Sequence, residues 1–459
     1  MRVTGQRNDH DRSHARCTCL QNPRSQMSKG VCQLNQEERE FILEGGDGIY
    51  HLSWPQLNVE ARVDRIRESH DHEVRAEVLL VSSRPTSSGH LRQGRIILTS
   101  PTSRKTLAKS LSERDPEVDW DKVTEQLCIA VLQDFRMGSP VVQIDGQTDL
   151  SVQAKWLIEP LVQLRNPTLI YGPGSTGKSW FGQYIAVLAD AGLSHGGFEV
   201  EPSTVLYLDW ETDQIEIGSR VTMLRRGLGL EGQSHIWYKA MNSGLSNDIE
   251  AIRSVVVEKS IDLIIVDSIG SACMGEPESA EVVLRTFNSL RSLGVSSVCI
   301  DHTNKEGVLF GSVYKYNSAR QVFEAKKDQQ PDDNKIMLGL FHRKANNSKL
   351  RKDMGFEIGF GEEGNVTITR REVRDTALSV NLPVLDRISN ALRRGALTVE
   401  QLLDELYDPD EKKTISESHL RKELSIGASK GIISKMRERN REGKQLYGIP
   451  AKEQTEWRI

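Results

Sequence analysis

The stretch LIYGPGSTGKS (residues 169–179) decides how the middle of this chain is expected to fold. An apolar run ends in the Walker A pattern G-x-x-x-x-G-K-S, and a helix-like run, WFGQYIAVL (residues 180–188), follows it directly. The glycines let the backbone curl so that N–H groups point at phosphate oxygens, and the following helix directs the positive end of its dipole to the same anion. A strand before the loop and a helix after it are the context in which this pattern binds a nucleotide.

The residues of this loop are predicted to hold ATP and Mg²⁺. Lys178 is expected to reach the β- and γ-phosphates, and Ser179 is expected to ligate the metal. The predicted nucleotide-binding residues are Gly172, Pro173, Gly174, Ser175, Thr176, Gly177, Lys178, Ser179 and Trp180.

Two further apolar runs end in acidic residues. Residues 261–268 read IDLIIVDS, a continuous run typical of a parallel strand buried on both faces, and it ends at Asp267, where such strands meet the ligand crevice. This is a Walker B pattern, so Asp267 is predicted to hold Mg²⁺ together with Ser179; an aspartate that only caps the next helix is the alternative. Residues 203–213, STVLYLDWETD, form another such run, and Glu211 is its predicted general base.

Composition limits the classes of protein to which the chain can belong. A length of 459 residues predicts two or three domains. The net charge of −4 argues against coating of nucleic acid in bulk, so any contact with DNA must come from a local basic patch. No apolar run approaches the length of about 20 residues that spans a bilayer, so we expect no membrane partner. Buried reduced thiols are predicted at Cys128, Cys273 and Cys299, and together these features favour a cytoplasmic protein.

The N-terminal third divides into two regions. Residues 1–35 are polar and are predicted to be disordered, and Met27 is an alternative start that would leave out residues 1–26. A zinc site is the less favoured alternative, because the spacing of the cysteines fits no common finger. These cysteines are Cys17, Cys19 and Cys32. Residues 47–138 alternate in strand-like fashion and then become helical, which predicts a small α+β domain of unknown role.

Residues 139–375 form the predicted nucleotide-binding core. Strand-like and helix-like runs alternate through this region, which predicts right-handed βαβ crossovers and a doubly wound, mostly parallel sheet of the α/β class. A further apolar run at 296–305, SSVCIDHTNK, ends in polar residues that include Asp301 and His302. The polar strand ends are therefore expected to converge on one edge of the sheet.

The order of these motifs resembles the RecA-like P-loop ATPases, loosely called AAA-type ATPases, and most of all the RepA hexameric helicase group. The resemblance covers the middle half of the chain and includes GS at 311–312 and AR at 319–320. It implies a RecA fold, ATP hydrolysis, and homo-oligomeric rings such as hexamers, or filaments. It also implies that Glu211 polarises the attacking water, that Asp267 supports Mg²⁺, and that His302 senses the γ-phosphate and couples it to nucleic acid.

The same resemblance predicts two further contacts. The loop at 307–318 faces the central channel in the family, and its lysine and tyrosines suit a nucleic-acid backbone and a stacked base, although an ordinary surface loop has the same composition. A basic finger that reaches the neighbouring subunit's nucleotide is predicted at Lys344, with Arg343 as second choice. Replicative helicases of the DnaB kind show K-x-R-N here, whereas this chain has K-A-N-N, so the second cation is missing.

Residues 380–459 show several helix-like runs followed by a ribbon and resemble a winged helix-turn-helix domain. The basic segment 428–439 is its predicted recognition helix and the predicted local patch for DNA. A charged helix exposed on a protein–protein module is the alternative.

Together the sequence predicts a Mg²⁺-dependent ATPase that acts on DNA as a helicase or translocase. An ATP-switched DNA-binding regulator or loader without motor activity is the alternative, and a filament-forming recombination mediator is a third possibility.

Overall fold

The computed structural model describes residues 40–138, 141, 143, 156–407 and 415–450, apart from gaps at 47, 86, 88, 277–278, 305–306, 308, 312 and 347. Backbone contacts divide the chain into two compact units, Met1–Gly146 and Gln147–Ile459. The N-terminal region 1–35, with its cysteines, and residues 451–459 lie outside the described residues. No helix in the described ranges is long and apolar enough to cross a membrane.

The described residues of the first unit form an antiparallel sheet, two α-helices and a short 3₁₀ helix, Pro55–Leu57. Its five strands are neighbours in chain order, and each adjacent pair is antiparallel. The elements are β1 (Ile42–Gly46), β2 (Ile49–Trp54), β3 (Val59–Glu68), β4 (Val74–Ser82), β5 (His90–Ile97), α1 (Pro101–Ser112) and α2 (Trp120–Met137).

Alternation of apolar and polar residues explains this sheet. Along β3, Val59 and Val63 are buried in the core, whereas Glu60 between them is exposed, as expected for a strand with one face in the core. Asp119 caps α2, because its side chain accepts a hydrogen bond from the backbone N of Lys122 at 3.1 Å. The buried face of the sheet packs with the apolar residues of α1 and α2 into one core.

The second unit is built around a large sheet that is parallel over its first half. Among the described residues this sheet has nine strands in the order β11-β10-β12-β13-β8-β14-β15-β16-β17, and the pairs from β11 to β14 are parallel. The strands are β8 (Pro167–Gly172), β10 (Val205–Asp209), β11 (Trp237–Ala240), β12 (Leu263–Asp267), β13 (Ser296–His302), β14 (Gln321–Asp328), β15 (Lys335–Ala345), β16 (Met354–Phe360) and β17 (Val366–Arg371). A small sheet contains β6 (Trp156–Glu159), β7 (Val162–Gln163) and β9 (Glu199–Val200).

Helices cover both faces of the large sheet. They are α3 (Lys178–Ala191), α4 (Gln214–Gly227), α5 (Ile249–Glu258), α6 (Ile269–Ala272), α7 (Ala280–Ser292) and α8 (Tyr314–Ser318). Two short 3₁₀ helices, Val373–Asp375 and Ala377–Asn381, follow the sheet.

Strand β12 shows why the sheet is double-sided, since all five of its residues are buried. Ile265 packs into one apolar cluster with Phe181 of α3, and its neighbour Ile264 packs into a second cluster with Phe287 of α7. A strand buried on both faces needs an unbroken apolar sequence, which is what residues 263–266 supply. The prediction of a mixed α/β fold with a largely parallel sheet is therefore confirmed.

The last described part of the second unit has three helices and a two-stranded ribbon. The elements are α9 (Val384–Leu392), α10 (Val399–Glu405), α11 (Glu417–Ser429), β18 (Ser434–Arg439) and β19 (Gln445–Gly448). Thr398 caps α10 in a capping box with Gln401, and an isolated bridge joins Leu397 to Tyr447 of β19.

The prediction of a helix at 428–439 is wrong. Helix α11 ends at Ser429, and Gly431 then adopts a φ of +70°, in the left-handed region that favours glycine and ends helices. The following segment pairs with β19 as a strand. Its basic residues, Lys435, Arg437 and Arg439, recur at every second position, which is the period of a strand.

Candidate nucleotide-binding site

The phosphate loop connects β8, inside the large sheet, to α3. A Cβ atom at Gly172 would collide with the backbone oxygen of Ala325 on β14, so the close approach of these two strands requires glycine. Gly177 has a φ of +91°, which also favours glycine. Because α3 begins at Lys178, its free N–H groups face the loop and form a binding site for an anion.

Lys178 is hydrogen-bonded to the backbone of the phosphate loop. Its Nζ atom donates hydrogen bonds to the backbone oxygens of Gly172 at 2.9 Å and Pro173 at 2.7 Å. Burial lowers the pKa of Lys178 to about 8, although the charges of Asp267, Glu211 and Asp301 oppose this shift. Lys178 is therefore close enough to all three carboxylates for their charges to act on its ammonium group.

Asp267, at the end of β12, is a buried carboxylate with one free oxygen. The hydroxyl of Tyr207 donates to its Oδ2 atom at 2.7 Å. Its Oδ1 atom is buried and has no hydrogen-bond partner among the described residues. Burial raises the pKa of Asp267 and outweighs the opposing effects of the Tyr207 and Ser179 hydroxyls. Such a buried oxygen normally has a partner, and none of the described residues supplies one.

A Mg²⁺ ion fits this set of donors. Mg²⁺ prefers oxygen ligands, and in phosphate sites it is usually held by one or two protein groups together with phosphate oxygens and water. The free Oδ1 atom of Asp267 and the nearby hydroxyl of Ser179 are such ligands. That Asp267 and Ser179 hold the metal remains a prediction that these donors fit.

Asp267→Asn is expected to raise the Mg²⁺ concentration needed for half-maximal ATP turnover by about 10- to 100-fold or more, because loss of even an outer-shell partner of a metal ligand commonly has an effect of this size. Turnover measured as a function of Mg²⁺ checks this. Asp262→Asn is the matched control, since Asp262 precedes the same strand and its carboxylate accepts from the backbone N of Thr204 at 3.1 Å. An unchanged Mg²⁺ requirement in Asp267→Asn would remove this residue from the metal site.

Asp209 shapes the turn that carries Glu211. Its Oδ1 atom accepts from the backbone N atoms of Glu211 at 3.0 Å and Thr212 at 3.2 Å, and its Oδ2 atom accepts from the hydroxyl of Tyr238 at 3.1 Å. Asp209 and Asp267 are paired in register on adjacent parallel strands. The turn therefore begins at the same sheet edge as the Walker B carboxylate.

Glu211 and His302 form a pair at this edge. The Nε2 atom of His302 lies 3.2 Å from the Oε1 atom of Glu211. This contact lowers the pKa of Glu211 more than burial raises it, and Ser268 and Lys178 lower it further. Glu211 is thus held as a carboxylate, the form that can accept a proton, and its side chain remains 35% exposed.

A cavity of about 550 Å³ lies beside this pair. Its walls include Glu211, Ser268, Asp301, His302 and Phe310. Water and a reacting group can therefore approach Glu211 from this side.

The side chains of Trp180 and Thr176 both contact other residues of the same chain. The ring of Trp180 packs edge-on against Phe360 at 5.5 Å between centroids, and the guanidinium of Arg220 lies 5.1 Å from its centroid. The hydroxyl of Thr176 donates to the backbone oxygen of Pro173, within the loop itself. A contact of either side chain with a nucleotide remains a prediction.

Lys344 and Arg343 both have partners within their own chain. The Nζ atom of Lys344 donates to the backbone oxygens of Tyr316, Asn317 and Ala319, each at 2.9 Å. Arg343 forms an ion pair with Glu324 at 2.7 Å. A role in a neighbouring subunit's site remains a prediction for Lys344, and it would require these three bonds to break.

The segment 307–318 differs from the exposed loop that the sequence predicts. Its last part forms α8, and Lys315 on this helix is 1% exposed and paired with Asp301. Lys315 is therefore not available to a nucleic-acid backbone in this conformation. The exposed residues in the described part of the segment are Gly307, Phe310, Val313, Tyr314 and Asn317, so an apolar or aromatic side chain is exposed at three of these five positions.

Comparison with known proteins gives a family match for part of the chain. The family model of the AAA domain matches residues 135–308, less than half of the sequence. The match supports a RecA-like P-loop ATPase. It includes the phosphate loop, Glu211, Asp267 and His302. A search of curated proteins gave no match.

Two of the solved structures that are similar to part of this chain illustrate the low identity of these matches. One is a KaiC-like protein, PH0186, from Pyrococcus horikoshii OT3, with 19% identity and a TM-score of 0.36 over 48% of this chain and 98% of that one. The other is the flagellar accessory protein FlaH from Methanocaldococcus jannaschii, with 14% identity and a TM-score of 0.31 over 45% of this chain and 89% of that one. Neither similarity is close enough to transfer a function.

The structure adds partners that the sequence pattern does not indicate. Tyr207, which donates to Asp267, lies in an apolar run in which a tyrosine is typical of ordinary core. The Lys315–Asp301 pair joins residues on different elements, so no local pattern indicates it. Strand β14 lies next to β8 and was not predicted, although its apolar residues Val322 and Phe323 were a usable signal.

Proposed function

We propose that this chain is a Mg²⁺-dependent ATPase that assembles with copies of itself and acts on DNA, as a helicase or translocase of the RepA type. The observation that carries the ATPase proposal is the meeting of Lys178, Glu211 and Asp267 at one sheet edge. The strand register brings these widely separated residues to one edge: Asp267 pairs with Asp209, which begins the turn to Glu211. Gly172 of the phosphate loop pairs with His302, whose Nε2 atom lies 3.2 Å from Glu211. A phosphate loop, a buried acid and a more exposed ionised acid are the groups that phosphoryl transfer to water requires.

The chemistry follows from these positions. Lys178 and the N–H groups of the loop would hold the β- and γ-phosphates, and bound Mg²⁺ would neutralise the charge on their oxygens. Glu211 would orient a water molecule so that its oxygen attacks the γ-phosphorus while the bond to the bridging oxygen breaks. The proton that the water loses would pass to Glu211 or to the released phosphate. His302 would hold Glu211 in its ionised form.

The basic ribbon, defined as Lys435, Arg437 and Arg439 on β18, supports the DNA part of the proposal. These three side chains are exposed and recur at every second position of the strand, whose pairing with β19 has an irregularity between Lys435 and Arg439. Helix α11, which packs next to this ribbon through a shared core, adds the exposed Lys422. Cations on a ribbon and an adjacent helix suit the phosphates of DNA, which supply much of its affinity for proteins.

Lys344 favours the second candidate, an ATP-switched DNA-binding regulator or loader. All three hydrogens of its ammonium group can be accounted for by bonds to the end of α8. A chain without a ready cation for its neighbour's nucleotide would hydrolyse ATP slowly and would use ATP chiefly to change conformation.

ATP turnover with and without single-stranded DNA distinguishes the two candidates. A motor is expected to show turnover that DNA raises many-fold, together with strand displacement. A switch is expected to show slow turnover that DNA does not change, with sequence-selective binding of duplex DNA. Absence of DNA binding in any nucleotide state would contradict both.

Replacing all three residues of the basic ribbon with alanine is expected to weaken DNA binding by about 10-fold or more at moderate salt, because each lost phosphate contact reduces the electrostatic part of the affinity. Turnover without DNA should not change. The matched control replaces the exposed lysines Lys327, Lys335 and Lys352 of the same unit. Equal DNA affinity in the ribbon variant and the wild type would remove the ribbon from the interface.

A further inference from the structure

Lys315 and Asp301 form a buried ion pair beside the proposed catalytic residues. The Nζ atom of Lys315 lies 2.9 Å from the Oδ2 atom of Asp301, and both side chains are 1% exposed. Burial raises the pKa of Asp301, and Lys315 opposes this shift. Removing one partner of such a pair is strongly unfavourable, because the other charge is left in a medium of low polarity.

Asp301 connects this ion pair to the site. Its Oδ1 atom accepts a hydrogen bond from the backbone N of His302 at 2.9 Å. The imidazole of His302 in turn lies 3.2 Å from the Oε1 atom of Glu211. A continuous series of contacts therefore runs from the Lys315 ammonium to the carboxylate that would orient the attacking water.

The surroundings leave little room for the pair to rearrange. A Cβ atom at Gly270 would lie 3.1 Å from the Oδ1 atom of Asp301 and 3.8 Å from the Nζ atom of Lys315. The backbone N of Phe310 donates to the backbone oxygen of His302 at 3.0 Å, and Lys315 Nζ lies 5.9 Å from the Phe310 ring centroid. Phe310 is thus attached to His302, and Lys315 is attached to Asp301.

We propose that Lys315 is a positioning residue for ATP hydrolysis, which holds Asp301 so that His302 stays against Glu211. It acts through Asp301 and not by contact with the nucleotide. This inference rests on the proposed ATPase function. In this proposal Lys315, the lysine of segment 307–318, acts on the site of its own chain and does not contact nucleic acid.

Lys315→Met tests this role, because methionine keeps an unbranched apolar side chain and removes the charge. The expected result is a kcat about 10- to 100-fold below that of the wild type, since small displacements of catalytic groups have effects of this size. The affinity for a non-hydrolysable ATP analogue with Mg²⁺ should stay within about twofold, because the phosphate loop is unchanged. A wild-type kcat in a folded Lys315→Met protein overturns the proposal.

The double variant Lys315→Met with Asp301→Asn separates positioning from stability. It removes both buried charges, so its Tm should recover relative to that of Lys315→Met. Its kcat should nevertheless stay low, because the asparagine is no longer fixed by an ion pair. Recovery of Tm and kcat together would show that the pair serves stability alone and would overturn the proposal.

Arg225→Met is the matched control for loss of an ion pair in the same unit. Arg225 lies 3.6 Å from Asp190, which is near the end of α3 opposite to Lys178, about 18 Å along the helix. This variant should lose stability and keep its kcat. The wild-type rate tests the proposed function separately. A wild-type protein without ATP turnover overturns both the proposed ATPase function and the role of Lys315. Equal turnover in the wild type and in Lys315→Met overturns only the role of Lys315.

Discussion

Lys178→Ala is expected to reduce ATP turnover by about 10³-fold or more, because the charge that stabilises the β- and γ-phosphates during transfer is lost. The structure explains why no neighbour replaces it. The ammonium group is buried inside the loop, where it donates to the backbone oxygens of Gly172 and Pro173, and alanine leaves those two oxygens without this donor. ATP affinity should fall as well.

Steady-state release of phosphate, with binding of a fluorescent ATP analogue in parallel, measures both effects. Lys259→Ala is the control, because Lys259 is an exposed residue at the end of α5. It should leave turnover unchanged. Turnover in Lys178→Ala at the wild-type rate would mean that the nucleotide is hydrolysed elsewhere.

Glu211→Gln is expected to separate binding from chemistry. The amide keeps the size of the side chain but cannot accept a proton, so kcat should fall by about 10²- to 10⁴-fold, the usual contribution of a general base. ATP and Mg²⁺ should still bind, because Lys178, Ser179 and Asp267 are unchanged. The protein should therefore accumulate in its ATP-bound form.

A single-turnover experiment with radiolabelled ATP, followed by recovery of the bound nucleotide, checks this. The matched control is Glu216→Gln, because Glu216 lies in the first turn of α4 and pairs with Arg220, which leaves the proposed catalytic residues unchanged. Bound ADP in place of ATP in Glu211→Gln would assign the general base to another residue.

The sequence was sufficient to predict the core of the fold because each buried parallel strand needs an unbroken apolar run. The runs before Gly172, Asp209 and Asp267 are strands of one sheet, as expected. The glycines of the phosphate loop were equally informative, since Gly172 faces another strand too closely for a side chain. The acids at the strand ends meet because the strands are parallel and adjacent.

Other features depended on contacts that a local pattern does not contain. Basic residues at 430–439 suggested a helix, but Gly431 ends α11, and the pairing with β19 makes the segment a strand. Lys315 looked like a surface cation, yet Asp301, fourteen positions earlier in the sequence, pairs with it in the interior. The sequence showed which residues carry charge, whereas only the tertiary structure showed which charges are buried.

The central claim is that a single nucleotide binds among Lys178, Glu211 and Asp267. An experimental structure with Mg²⁺ and a non-hydrolysable ATP analogue at millimolar concentration tests it most directly. We predict that the Lys178 ammonium breaks its hydrogen bonds to the backbone oxygens of Gly172 and Pro173 and binds the β- and γ-phosphates. We also predict that Ser179 and Asp267 hold the metal. Nucleotide bound at another place, or no nucleotide bound at that concentration, would contradict the account.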